Sequence, residues 1–201
     1  MNLAIRGIEH NLGNEAADTF GNDHFSNRQF EYILANPPFN IKEWGGEQYE
    51  TDARWVFGRP PTGNQNYAWL QHIFTKLTPG GQAGIVLANG SMSSDTKSEK
   101  TIREEMIKAD VVEVMVALPG KLFLNTQIPA CLWFLTNDKT KHGRNRQNEI
   151  LFIDARELGT MITRKNQILT EEDIAKISDT VHAWRSGKDY EDVAGFCKAA
   201  S

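Results

Sequence analysis

Residues 32–39, Tyr-Ile-Leu-Ala-Asn-Pro-Pro-Phe, decide how this chain folds. The apolar run predicts a buried strand, and Pro37 and Pro38 end it because adjacent prolines forbid both helix and interior strand. The rigid turn that follows has an amide on one side and an aromatic ring on the other. Asn36 and the neighbouring backbone offer carbonyl acceptors and Phe39 offers a stacking face, a pairing that suits a heterocycle carrying an amino group. The alternative is a plain turn without a ligand.

Apolar runs alternate with segments of helical periodicity along the chain. Because the first strands are separated by helices, they are predicted to be parallel, in an open α/β sheet. The connection between residues 118 and 130 is short enough for an antiparallel hairpin, predicted at an edge of the sheet. Residues 186–201 are predicted to be a frayed or truncated tail. Strands are predicted at residues 31–35, 83–88, 111–118, 130–135 and 150–153, and helices at 2–12, at 66–77, around Ile102 to Ala109, and from a capping box at Thr170 to Trp184.

The composition is that of a globular chain long enough to bury a core, with 201 residues, 40% hydrophobic and 24% charged. Cys131 and Cys197 are far apart and lack metal-ligand spacing, which predicts a reduced, cytoplasmic protein. The scattered histidines predict no metal dependence. The net charge of −4 does not indicate strong binding of nucleic acid, so for a DNA substrate another chain or segment is expected to supply much of the phosphate contact.

The segment between residues 40 and 66 has no period and many glycines and prolines, which predicts a long functional or disordered loop. It interleaves aromatic and cationic side chains, a mixture suited to stacking on bases and holding phosphates. The alternative is a surface excursion whose tryptophans pack back onto the core. The candidate DNA or base contacts are Trp44, Arg54, Trp55 and Arg59.

The Asn-Pro-Pro-Phe turn after a parallel strand, with a later hairpin, resembles the S-adenosylmethionine-dependent amino-methyltransferases that act on adenine in DNA. Several further motifs resemble the modification subunit of type I restriction-modification systems, and together they cover nearly the whole chain. They are residues 33–40 with Trp44, residues 66–69, 79–83, 118–123, 126–129 and 153–156, and the helix from Thr170 to Trp184.

The resemblance implies a Rossmann-like methyltransferase sheet and a defined chemistry. In that family the side chain matching Asn36 and the backbone carbonyl matching Pro37 accept hydrogen bonds from the amino group of a flipped adenine, while the ring matching Phe39 stacks on the base. The implied methyl donor is S-adenosylmethionine, and the implied partners are DNA, a specificity subunit and a restriction subunit.

The chain departs from the family pattern before the clamp, the turn at residues 36–39. The Gly-rich cofactor loop and the acidic residue that holds the ribose are not found, and only Asp18 matches a cofactor contact; the alternative for Asp18 is a turn or N-cap residue. Residues 1–158 are therefore expected to be the C-terminal part of a catalytic domain, inactive alone, and residues 159–201 a truncated helical extension. The exposed edge of such a half sheet predicts dimerisation or another partner.

Two other functions stay open. Asn-Pro-Pro followed by an aromatic residue also occurs in methyltransferases that modify protein glutamine or the amino group of guanine in RNA. A non-catalytic module that assembles with the specificity and restriction subunits is the second alternative.

Overall fold

The computed structural model describes residues 2–13, 15–124 and 126–201; Met1, Asn14 and Asn125 lie outside this range. The strands are β1 (Phe30–Ala35), β2 (Leu77–Ala88), β3 (Val112–Ala117), β4 (Ala130–Thr136), β5 (Ile150–Asp154), β6 (Thr160–Met161), β7 (Gln167–Ile168) and β8 (Cys197–Ala200). The helices are α1 (Asn2–Ile5), α2 (Asn66–Thr75), α3 (Lys97–Lys108) and α4 (Glu171–Ser186), with short 3-10 helices at Gly46–Tyr49 and Asn89–Met92. None of the helices within the described ranges is long and apolar enough to span a membrane.

Six strands form the central sheet in the order β1-β2-β4-β3-β5-β8, and β6 pairs with β7 beside it. β1 is parallel to β2 and β3 is parallel to β5, while β4 is antiparallel to both β2 and β3. Four strands therefore point the same way, and only β4 and β8 oppose them. The predicted α/β class with a mostly parallel sheet is confirmed.

The antiparallel pair of β3 and β4 was predicted at an edge of the sheet but lies in its interior. β3 and β4 do form the expected pair, but β4 lies inside the sheet, between β2 and β3. The connection from β2 through α3 to β3 skips one strand position in the sheet, and β4 occupies that position. Its side chains are buried or half-buried along its whole length, which suits an interior strand. The antiparallel strand at the edge is β8.

The end of the chain is ordered in the sheet, so the prediction of a frayed tail over residues 186–201 is wrong. Gly187 ends α4 in a left-handed conformation with φ of 70°, and the chain returns to pair with β5, where Ile153 faces Cys197. The sequence Cys-Lys-Ala-Ala has weak strand propensity, so only this long-range pairing defines the strand.

Two other boundaries differ from the sequence analysis. The predicted helix over residues 2–12 is only the single turn of α1, and Ile5, Ile8 and Leu12 are 75%, 48% and 62% exposed. Because the described residues leave the apolar face exposed, so short a helix has little stability. β2 begins at Leu77, before the predicted strand at residues 83–88, because Gly80 at φ of 81° lets the strand bulge without ending.

The core lies on both faces of the sheet. Residues of α2 and α3, such as Leu70 and Met106, pack on β2, β3 and β4 on one face. On the other face Trp184 of α4 is fully buried against Val114 and Leu151. The predicted capping box is confirmed, since the Thr170 hydroxyl accepts from the Asp173 backbone N–H at 3.2 Å.

A buried ion cluster joins distant parts of the chain to β3. The Glu113 carboxylate is 1% exposed and accepts from Arg146 at 3.0 Å and from Arg185 at 2.6 Å. Arg146 lies in the loop before β5 and Arg185 in the last turn of α4. The cluster therefore fixes α4 and that loop to the sheet.

Candidate functional site

The clamp, residues 36–39, leaves the sheet at the carboxyl end of β1. The carboxyl ends of β2, β3 and β5 lie at the same edge, because these strands run in the same direction as β1. In open α/β sheets ligands bind at this edge. The loops that follow β2, β3 and β5 therefore lie at the same edge of the sheet as the clamp.

Asn36 is exposed, and its side chain forms no hydrogen bond with any of the described residues. Pro37 is buried, whereas Pro38 is exposed. The amide at the tip is thus open to solvent while the turn beneath it is packed. This arrangement presents an uncommitted carbonyl oxygen on a rigid base, as a hydrogen-bond acceptor for a ligand requires.

Asn40 connects the clamp to the start of α2. Its backbone N–H donates to the Asn66 side-chain oxygen at 3.0 Å, and the Asn66 amide donates back to the Asn40 side chain at 2.8 Å. Asn66 is 2% exposed, and Asn40 adopts the left-handed conformation with φ of 55°. The clamp is therefore held from α2 as well as from β1. The sequence analysis missed this role, although residues 66–69 belong to the motifs it identified.

Phe39 is half-buried and meets Phe123 edge to face, with ring centroids 5.7 Å apart and planes at 85°. Phe123 belongs to the loop that follows β3. This contact brings the predicted 118–123 motif beside the clamp and fixes the orientation of the Phe39 ring.

The long loop packs against Phe20, which is 5% exposed. The ring centroids of Trp44 and Trp55 lie 5.3 and 6.2 Å from that of Phe20. The indole N–H groups donate to the backbone carbonyls of Pro61 and Tyr49. These contacts fit the alternative in which the tryptophans pack onto the rest of the chain; base stacking by them stays a prediction.

Arg54 has internal partners as well. It donates to both carboxylate oxygens of Asp52, at 2.9 and 2.6 Å, and to the backbone carbonyls of Thr19 and Phe20 at 3.2 and 2.8 Å. The hydrogen bond from Arg54 lowers the pKa of the Asp52 carboxyl. Arg59 is exposed and pairs with Glu50 at 2.5 Å. A DNA contact therefore costs less to form for Arg59 than for Arg54, and for both it stays a prediction.

Asp18 is exposed, and its carboxylate accepts from the backbone N–H groups of Phe20 at 3.2 Å and Gly21 at 3.0 Å. These are the contacts of a turn residue. A cavity of about 510 Å³ lies between this segment and β1, but Asp18 does not line it. A role of Asp18 in binding S-adenosylmethionine stays a prediction.

Metal ligands do not cluster in the described ranges, where no group of three or more His, Cys, Asp or Glu side chains is placed to hold an ion. His72 instead belongs to the aromatic cluster, 8% exposed and 5.8 Å from Phe20 by ring centroids. Burial lowers the pKa of His72 to about 4.

Comparison with known proteins gives consistent matches. The sequence model of the N-6 DNA Methylase family matches residues 1–201. The chain is 51% identical over its full length to the type I restriction enzyme HindI methylase subunit of Haemophilus influenzae, covering 44% of that protein. It is 39% identical to the MjaIX methylase subunit of Methanocaldococcus jannaschii, covering 36% of it. The chain thus spans less than half the length of these relatives.

Solved structures agree on the fold. The methyltransferase subunit of a type I restriction-modification system from Streptococcus thermophilus superposes with a TM-score of 0.83 at 26% identity, over 100% of this chain and 41% of that one. A putative class I S-adenosylmethionine-dependent methyltransferase from Listeria monocytogenes shares the fold alone, with a TM-score of 0.55 at 12% identity, over 79% of this chain and 44% of that one. The predicted methyltransferase-type fold is confirmed.

Proposed function

This chain belongs to the N-6 DNA Methylase family, as its resemblance to type I modification subunits indicates, and we propose that residues 36–39 hold a flipped adenine for methylation of its amino group. The observation that carries the proposal is the uncommitted side chain of Asn36 at the carboxyl edge of the sheet. The Asn40–Asn66 pair supports it by holding the clamp in place.

The proposed chemistry depends on two acceptors. The amino group of adenine is a poor nucleophile because its lone pair is delocalised into the ring. The side-chain carbonyl of Asn36 and the backbone carbonyl of Pro37 accept its two N–H groups, favour a tetrahedral nitrogen and stabilise the positive charge that develops on it. Phe39 stacks on the extruded base and orients it. Bound S-adenosylmethionine supplies the methyl group.

Few residues of this chain are candidates for binding S-adenosylmethionine. Asp18 is the one residue that the resemblance assigns to S-adenosylmethionine, and its carboxylate already accepts two backbone N–H groups. We propose that these 201 residues alone bind the cofactor weakly and do not transfer methyl groups. Isothermal calorimetry with S-adenosylmethionine checks the weak binding, and micromolar affinity contradicts it.

Asn36→Ala in a full-length relative that carries the same motif tests the clamp. The expected result is loss of methyl transfer to duplex DNA with cofactor affinity almost unchanged, since Asn36 contacts only the base. Asn145→Ala is the matched control, an exposed asparagine in the loop between β4 and β5. Equal loss of cofactor binding and methyl transfer in Asn36→Ala shows that Asn36 supports the fold or the cofactor instead.

The proposed partners are DNA and the specificity and restriction subunits of a type I complex. The net charge of −4 supports assembly, because other chains must then provide most of the phosphate contacts. The exposed side chains of Tyr32 and Leu34 on the edge strand β1, at 65% and 88%, are a surface for such a partner or for a second copy. Both cysteines are free and buried, which supports a reducing compartment such as the cytoplasm.

A non-catalytic assembly module and a methyltransferase acting on protein or RNA are the alternatives. Methyl transfer measured on DNA, RNA and protein with the same full-length relative separates the three. We expect transfer to DNA alone.

A further inference from the structure

We propose that the small hairpin of residues 160–168 binds the phosphate backbone of the DNA strand whose adenine enters the clamp. This inference rests on the proposed function and adds a second DNA contact to the same site. It is independent of the candidates in the long loop, from which no residue contributes to the hairpin.

The hairpin has a defined shape. β6 and β7 pair Thr160 with Ile168 and Met161 with Gln167. At the tip, the backbone N–H groups of Ile162 and Thr163 donate to the Asn166 carbonyl at 3.0 and 3.1 Å. The Thr163 hydroxyl accepts from the backbone N–H groups of residues 165 and 166 at 3.2 and 3.0 Å. The tip is therefore closed by its own hydrogen bonds.

Side chains of the hairpin fix it to the loop that also touches the clamp. The Gln167 amide donates to the Gly120 carbonyl at 2.8 Å, and its backbone N–H donates to the Lys121 carbonyl at 3.0 Å. The Asn166 amide donates to the carbonyl of Phe123 at 3.3 Å. Phe123 is the residue whose ring meets Phe39. The hairpin and the clamp thus both contact the loop that follows β3.

The base of the hairpin is anchored separately. The backbone N–H of Gly159 donates to the Asp173 carboxylate at 3.1 Å, and the same carboxylate closes the capping box of α4. Asp173 is therefore committed to the helix start and to the hairpin base.

The tip carries the charge that a phosphate requires. Arg164 and Lys165 are exposed and form no ion pair with any described residue. Residues 160–168 contain no Asp or Glu, although the chain as a whole has a net charge of −4. The acidic residues that flank the hairpin, Glu157, Glu171 and Glu172, lie outside it at its base. A preformed cationic tip on a hairpin that contacts the same loop as the base clamp favours a polyanion over a protein surface.

Such a contact positions DNA and carries no sequence information, because phosphates are the same at every base pair. The hairpin therefore holds the strand in register with the clamp, while the choice of site is left to other groups. The competing possibility is that the hairpin binds a protein, because its apolar side chains are also exposed: Met161, Ile162 and Ile168. The following test distinguishes DNA from a protein partner.

Site-specific cross-linking tests the contact on the 201-residue chain. Lys165→Cys introduces an exposed thiol. Cys131 and Cys197 are buried and therefore do not compete with it for the probe. The probe is a duplex with a phosphate tethered through an activated mixed disulfide next to a mismatched 2-aminopurine, so that the cysteine thiolate displaces a small leaving thiol by exchange. Lys108→Cys is the matched control, exposed at the end of α3 and therefore at the amino edge of β3. We expect disulfide formation at least about tenfold faster at position 165 and its suppression by salt. Equal rates at the two positions overturn the proposal.

A second variant measures the charge itself. Arg164→Ala with Lys165→Ala is expected to lower the slope of log affinity against log salt by about 2, because two counterions fewer are released. An unchanged slope overturns the proposal.

The fluorescence of 2-aminopurine separates the inference from the proposed function. A rise in fluorescence with equal cross-linking at positions 165 and 108 overturns the hairpin contact and leaves the clamp standing. Cross-linking selective for position 165 without any rise supports the hairpin contact and contradicts base extrusion. If neither a fluorescence rise nor selective cross-linking is seen while residues 36–39 are wild type, both the hairpin contact and the clamp are contradicted.

Discussion

The Asn66 side chain holds Asn40 at two points, accepting from its backbone N–H at 3.0 Å and donating to its side chain at 2.8 Å. The first turn of α2 therefore sets the position of a turn that lies 26 residues earlier in the sequence. Asn66→Ala removes both hydrogen bonds and leaves the Asn40 backbone N–H and side chain without these partners. With about 1 kcal/mol for each bond, methyl transfer by a full-length relative is expected to fall roughly tenfold or more.

Asn64→Ala is the control for this change, because Asn64 accepts from the Asn66 backbone N–H at the same helix start and does not contact Asn40. We expect its melting temperature to fall with little effect on methyl transfer. Equal losses of activity in the two variants contradict the role of the Asn40–Asn66 pair.

Phe39→Ala is expected to weaken capture of an extrahelical base by about 1–3 kcal/mol, the usual contribution of a stacking ring. Affinity for a duplex with 2-aminopurine at the target position measures it. Because Phe39 also packs on Phe123, the fold loses stability too, and Phe123→Ala shows how much of the loss is packing. An unchanged base affinity in Phe39→Ala excludes stacking.

Glu113→Ala leaves Arg146, which is fully buried, without its carboxylate partner. Removing one member of a buried ion cluster costs about 3–5 kcal/mol, so the urea midpoint of unfolding is expected to fall sharply. Glu105→Ala removes the carboxylate of an exposed pair with Lys108 and is expected to leave the midpoint unchanged. Equal midpoints for the two variants mean that the cluster does not fix α4 to the sheet.

His72 gives the fold a pH dependence, since its pKa is about 4 in the folded chain against 6.5 in the unfolded chain. Between these values the unfolded chain takes up a proton that the folded chain does not. The stability that the neutral ring provides is therefore complete above pH 6.5 and is lost as the pH falls toward 4. The free energy of unfolding is expected to fall by roughly 3 kcal/mol over this range of pH.

Urea unfolding at pH 7.5 and 4.5 measures this loss. His72→Phe keeps an aromatic ring beside Phe20 and cannot titrate, so most of the difference between the two pH values is expected to disappear. If the variant keeps the full difference, other groups cause the dependence.

Local patterns account for much of the fold. The strand before Asn36, the helix from Asn66 and the capping box at Thr170 follow from periodicity and from side chains within one turn, and the structure confirms that these elements form. The expectation that the strand before Asn36 is buried is wrong, because it is the edge strand β1 and Leu34 is 88% exposed. The tail and the first helix were mispredicted for one reason: short segments are stable only if a surface is available to cover them. Cys197 has such a surface in β5, whereas Ile8 has none.

The sequence by itself determined the turn at residues 36–39, because two prolines fix a turn without help from the rest of the chain. It also determined the family, through motifs spread over the whole length. Only the tertiary structure decided that β4 lies between β2 and β3, that Asn66 holds Asn40, and that Arg54 binds inward to Asp52. These features join residues through complementary surfaces and unpaired polar groups, and such pairings have no signature in local spacing.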